Sequence, residues 1–274
     1  MRSVVYQSGT GFERIELNGG SIAVGAPNSL HSRAWAYDVE YRGISGVSRK
    51  SRKETVSMVA EKAAADRFAA VCDRDVQEGT PGKLHIGDWW QRCYVVEIDT
   101  KEIARRMVSL KLTVILVDGV WRRGKTFEFS NLNEGEESDD LDMPYDLPHD
   151  LALVPMALES IEGGEWGESA MLITVYGSAI NPAVVIGGNV YKVNVEVPAG
   201  SRLEINSIGR TVKLIGDDGT VKDCFGDAER GSGKDGGSYI FQPLPIGTSS
   251  VSWDKSFSFF VTVYEESGAP GYEE

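Results

Sequence analysis

The residues best suited to nucleophilic, general-base or soft-metal chemistry near neutral pH are few. The chain has three histidines, His31, His85 and His149, and three cysteines, Cys72, Cys93 and Cys224. No histidine sits in an HExxH, HxH or Cys/His spacing, and there is no CxxC pair, so no metal-binding pattern forms. An odd number of thiols without a close pair fits reduced cysteines in a protein made in a cytoplasm. There is no GxSxG elbow and no GxGxxG after a strand, and Gly119-Val-Trp-Arg-Arg-Gly-Lys-Thr, which has the spacing of a Walker loop, falls in the run read as a strand and not in a strand-to-helix loop. The glycine-rich segments lie between β-type runs and offer no helix N-terminus to a phosphate. Carboxylates are plentiful, and residues 131–150, NLNEGEESDDLDMPYDLPHD, hold six of them within ten positions. Calcium takes oxygen ligands, but the spacing fits no EF-hand loop, and a solvated linker accounts for the composition. A glycosidase needs two acids facing each other across a sugar. Here the acids gather in the linker and loops, away from the aromatic strands. The sequence therefore predicts no catalytic residue, no metal and no cofactor.

Aromatic residues are the remaining candidates for ligand contact. Trp166, Tyr176, Tyr191, Phe225, Tyr239, Phe241, Trp253, Phe257 and Phe259 would serve as a sugar-stacking platform, although a β-sandwich core uses the same residues. Trp253, followed by Asp254-Lys255 at a turn, is the best single candidate for a glycan contact.

The elements that must position these residues are mostly strands. Gly82–Ile86, Trp89–Ile98, Met107–Val117 and Val120–Phe129 are rich in aromatic and β-branched residues and end at turn signals. Asp118-Gly119 reads as the two-residue loop of a tight hairpin. Trp35, Tyr37, Val39 and Tyr41 alternate, which predicts a half-buried strand, and GISGVSRKSRK (43–53) predicts a flexible basic loop. Glu54–Cys72, with Val56, Val59, Ala63, Phe68 and Val71 at near-helical spacing, predicts the one helix. Beyond Leu151, short strands with turn signals every 8 to 12 positions predict a second sandwich or jelly roll. The tail from Glu265 is expected to fray.

Charge divides the chain in the same place. The total is −13, with residues 1–130 at +4, 131–150 at −8 and 151–274 at −9. The expected organisation is a mainly β protein: an N-terminal β-sandwich with one α-helix over 1–132, an acidic, proline-containing linker over 133–150, and a C-terminal sandwich over 151–274. No run approaches 18 apolar residues and the start lacks a signal-peptide core, which predicts a soluble protein without membrane insertion.

Several segments together resemble the siphophage distal tail protein family. They are Gly82-Lys-Leu-His-Ile-Gly-Asp-Trp-Trp, Cys93-Tyr-Val-Val, Val108-Ser-Leu-Lys-Leu-Thr-Val, Trp121-Arg-Arg-Gly-Lys-Thr-Phe-Glu-Phe and Leu141-Asp-Met-Pro-Tyr-Asp-Leu-Pro-His-Asp. In the second half the likeness continues through Ile173–Gly188 and Ile246–Trp253. The resemblance implies an N-terminal sandwich that closes into a homohexameric ring and a C-terminal galectin-like jelly roll. It also implies a place at the tip of the virion tail, assembled in the host cytoplasm, joining the tail tube protein to the tail-tip hub. The tape measure protein and DNA would pass through the lumen without sequence readout, and the outer domains would offer attachment to receptor-binding proteins.

On that footing Trp89, Trp90, Tyr94, Trp121 and Phe127 are candidates for the interface between copies. Arg49, Lys50, Arg52, Lys53, Arg105 and Arg106 are candidates for a basic lumen; ordinary surface ion pairing is the alternative. The competing function is a carbohydrate-binding module on an oligomerisation domain. A tail-associated hydrolase is the third reading and would need a paired acid site.

Overall fold

The computed structural model describes residues 3–25, 28–131, 157–165 and 167–271. The 133–150 linker with its acid cluster and His149, together with Trp166, lies outside the described residues. The chain divides into two compact units, Met1–Arg123 with Glu266–Glu274, and Gly124–Glu265. It is mainly β, with one α-helix among the described residues.

In chain order the first unit builds β1 (Val4–Gln7), β2 (Arg14–Glu16), β3 (Ile22–Val24), β4 (Ala36–Glu40), β5 (Gly43–Ser48) and β6 (Arg52–Glu61). Helix α1 (Lys62–Gln77), β7 (Gly82–Ile86), β8 (Trp89–Ile103), β9 (Met107–Leu116) and the start of β10 (Trp121–Phe129) follow. All pairings are antiparallel. One arm runs β3-β6-β9-β8, the other β2-β1-β7-β8-β10, and β4 pairs only with β5. Val56, Met58 and Ala60 from β6, Phe68, Val71 and Cys72 from α1, and Leu110 to Leu116 from β9 close a core around Tyr6 and Trp121.

Three expectations need correction here. Glu54–Cys72 is not one helix: Arg52–Glu61 is a strand paired with β9 over its full length, and only Lys62 onward is helical. Val56, Met58 and Ala60 are buried while Thr55, Ser57 and Val59 are exposed, so the two-residue period and ten ladder pairs prevail over helix propensity. Asp118-Gly119 does turn the chain, with Gly119 at φ +68 against the Lys50 carbonyl, but β9 and β10 are not paired neighbours. The tail does not fray through Pro270: Gly268, Ala269 and Pro270 are buried in the first unit, and the His31 ring nitrogen Nδ1 lies 3.3 Å from the Pro270 carbonyl.

The second unit contains the rest of β10, then β11 (Ala157–Glu162), β12 (Ala170–Tyr176), β13 (Ala179–Ile180), β14 (Ala183–Ile186), β15 (Asn189–Lys192) and β16 (Glu196–Val197). It ends with β17 (Arg202–Asn206), β18 (Thr211–Ile215), β19 (Val221–Asp223), β20 (Thr248–Trp253) and β21 (Phe259–Ser267), the last of which returns the chain to the first unit. One sheet orders β19-β18-β17-β12-β21-β10 and the other β11-β20-β14-β15. Their facing apolar residues form one sandwich core.

Candidate assembly surface

Most of the aromatic residues proposed to meet other copies are used inside the chain. Trp121 is fully buried and Trp89 nearly so, both in the core of the first unit, with the Arg123 guanidinium over the Trp89 ring at 5.1 Å. A side chain enclosed by its own unit has no face to offer a neighbour, so these two are core anchors. Trp90 is half-buried between Lys83 at 4.8 Å and Arg122 at 5.8 Å. Tyr94 is half-buried and donates its hydroxyl to the Gly79 carbonyl at 2.6 Å. Phe127 packs partly buried on the core of the second unit, under Lys125.

The six lumen candidates separate in the same way. Arg49 lies over the Trp35 ring at 4.1 Å. Arg52 donates to the Ser32 and Leu30 carbonyls and sits 3.4 Å from Glu54, so it works as a local staple. Lys50, Lys53, Arg105 and Arg106 are exposed. Lys53 shares an exposed, hydroxyl-rich face of β6 with Thr55 and Ser57. Trp253 is core: it is 2% exposed, packs edge-on to Phe129 and Phe259, and donates its indole N–H to the Phe257 carbonyl at 3.0 Å. Enclosed in the core, it cannot stack on a sugar, and the glycan contact is withdrawn.

One constellation escaped the sequence reading. Lys83 pairs in register with Arg92, His85 with Trp90, and Trp90 with Arg122, so these side chains share one face of β7, β8 and β10. Asp118 holds two of the cations, accepting from Arg92 Nε at 3.0 Å and Arg122 Nη1 at 2.7 Å, and Glu266 accepts from Arg122 Nε at 2.8 Å. Burial would raise the Asp118 carboxyl, but the Arg92 hydrogen bond and the charges of Arg122 and Arg92 outweigh it and hold the group below the usual carboxylate range. Burial, aided by Arg14 and Lys83, pushes the His85 imidazole down to about 4. Arg92 and Arg122 are thus tied to carboxylates within the first unit. Among the described residues, no cluster of three or more His, Cys, Asp or Glu is placed to hold a metal.

The surface that stands out is the β4–β5 hairpin. Its alternating residues were expected to be half-buried, yet Trp35, Tyr37, Val39, Tyr41, Ile44 and Val47 are all exposed, Val39 at 80% and Tyr41 at 96%. Val39 and Ile44 are directly opposed, and Tyr37 shares their face by alternation. The alternation correctly marks that face, but the described residues leave most of it open, with Arg49 over Trp35 and Arg42 over Tyr41. A two-stranded ribbon with an open apolar face is marginal alone and calls for a partner surface.

The sequence matches no protein-family model and no curated protein. Solved structures are similar in fold. A chain of the phage P2 baseplate in its activated conformation with Ca has a TM-score of 0.64 at 9% identity, covering 98% of this chain and 100% of that one. The Sr form of that baseplate gives 0.63 at 9% identity with the same coverage. The protein therefore has the fold of a phage baseplate component along nearly its whole length. The SPP1 Dit protein, described as a paradigm of the hub adsorption apparatus in phages infecting Gram-positive hosts, is also similar, with TM-score 0.51 at 8% identity over 96% of this chain and 99% of that one.

Proposed function

We propose that the protein is a distal tail protein: a non-enzymatic structural part of a siphophage tail tip that assembles as a homohexameric ring. The ring joins the tail tube protein to the tail-tip hub and lets the tape measure protein and DNA through its lumen. The observation that carries this reading is the end-to-end fold likeness to a phage P2 baseplate chain, which spans both units rather than one. The ring-former is the first unit, Met1–Arg123 with Glu266–Glu274, in place of the expected 1–132. The second is galectin-like and points outward, where receptor-binding proteins attach; the chain passes between the two at Arg123/Gly124 and Glu265/Glu266, so the 133–150 segment expected to link them falls within the second. The open apolar hairpin supports assembly, because burying each such side chain contributes roughly 1.5–3 kcal/mol. Lys50, Lys53, Arg105 and Arg106 remain available to face a polyanion, whereas Arg49 and Arg52 are occupied within the unit. The carbohydrate-binding alternative has lost its best residue with Trp253.

Electron microscopy of the purified full chain at high concentration, alone and with a tail tube protein, tests the reading. Six-fold rings with a central hole are expected. Monomers under every condition would overturn it.

A further inference from the structure

The first unit has a concave surface as well as a protrusion. A groove of about 590 Å³ runs between α1 and the outer half of β8 and β9. Val96, Ile98, Ile103 and Val108 give it an apolar strip among polar groups, and Val96 and Ile103 are 46% and 68% exposed. Its charged residues are Asp66 and Asp73 from α1, Glu97 from β8, and a single cation, Lys62. Along this stretch β8 has β9 on one side only, since β7 pairs no further than Cys93 and β10 pairs at Trp90. The groove therefore combines an apolar strip, a net acidic rim and an open strand edge.

The hairpin carries a matching set on one face, since alternation turns its two acids, Asp38 and Glu40, to the other. It presents Tyr37, Val39 and Tyr41 as an apolar row, and at its tip the Arg42 guanidinium lies 5.6 Å from the Tyr41 ring centre. We propose that the β4–β5 hairpin of one copy docks into the α1/β8 groove of the next, setting Val39 and Tyr41 on the apolar strip and Arg42 beside Asp66 and Asp73. This deepens the ring reading and rests on it. Protrusion and groove are different patches of one unit, so the contact is head-to-tail: each copy gives one hairpin and receives one, the arrangement that closes rings.

The test uses the full chain in two variants at exposed positions. Val39→Asp/Tyr41→Asp disables the hairpin and Val96→Asp/Ile103→Asp disables the groove, with thermal unfolding as the check that both fold. Each alone is expected to raise the concentration needed for assembly by roughly tenfold or more, as losing one or two buried side chains implies. Mixed in equal amounts, the two variants retain one good hairpin and one good groove between them, so native mass spectrometry should show a mixed dimer that grows no further. If the groove variant assembles like the wild type while the hairpin variant does not, the docking is wrong and the ring reading survives. Two monomeric variants that form no mixed dimer would also overturn the docking. A wild-type chain that never assembles would overturn the docking and the ring reading together.

Discussion

At the scale of the residue, the buried polar groups are structural, and each makes a measurable prediction. Tyr6 donates its hydroxyl to Asp75 Oδ2 at 2.6 Å, and the Gly9 N–H donates to Oδ1 at 3.1 Å, so one fully buried carboxylate ties β1 and the loop after it to α1. Tyr6→Phe leaves that carboxylate short of a donor and is expected to destabilise the first unit by about 1–3 kcal/mol, read from urea unfolding. Burial, then Asp75, push the Cys72 thiol up, and burial, then Cys72, do the same for Cys93. Neither should react with iodoacetamide until the protein is denatured. His85 gives the pH dependence. Its folded pKa, about 4, lies below the usual 6.5, so the unfolded chain binds the proton more readily between those values. The stability this contributes is complete above 6.5 and is lost as pH falls towards 4. In His85→Gln the slope of stability against pH should flatten within that window, measured by denaturant titration at a series of pH values.

At the scale of the element, neighbours decided what local pattern left open. Glu54–Glu61 contains good helix formers, and its strand character follows from β9 lying beside it. The β4–β5 pattern was legible, but alternation reports which side chains share a face, and only tertiary contacts say whether that face is covered. The Asp118 turn likewise gains its role from residues distant in sequence, Arg92 and Arg122. Removing it with Asp118→Ala takes the acid from half-exposed Arg92 and leaves buried Arg122 with Glu266 alone, and is expected to cost about 1–3 kcal/mol in thermal or urea unfolding. The hairpin makes the opposite prediction. In the monomer its amides should exchange with deuterium far faster than those of the β6–β9 ladder, and they should become protected on assembly.

At the scale of the whole molecule, the chain leaves its first unit through β10 and returns to it through β21, ending with Gly268, Ala269 and Pro270 buried. The last residues thus belong to the fold of the first. Deleting 266–274 removes the Glu266 partner of Arg122 as well as this packing. The variant is expected to show a first-unit unfolding transition weakened by at least ~2 kcal/mol in calorimetry, with the second-unit transition unchanged. If the protein is a hexamer, its −13 charge is repeated six times, and the assembly should tighten as salt screens that repulsion. An assembly indifferent to salt would count against charge as a controlling term.

The sequence by itself determined the mainly β character, the strands from Gly82 to Phe129 and the run of strands in the second half. These follow from short-range alternation, turn residues and composition, all local properties. Tertiary structure alone decided which aromatic residues are core and which are surface. Trp121 and Trp253 are enclosed while Tyr41 and Val39 stand in solvent, although all four occupy strand or turn positions of similar hydrophobicity. Burial depends on what the rest of the chain places over a side chain, and no window of neighbouring residues contains that information.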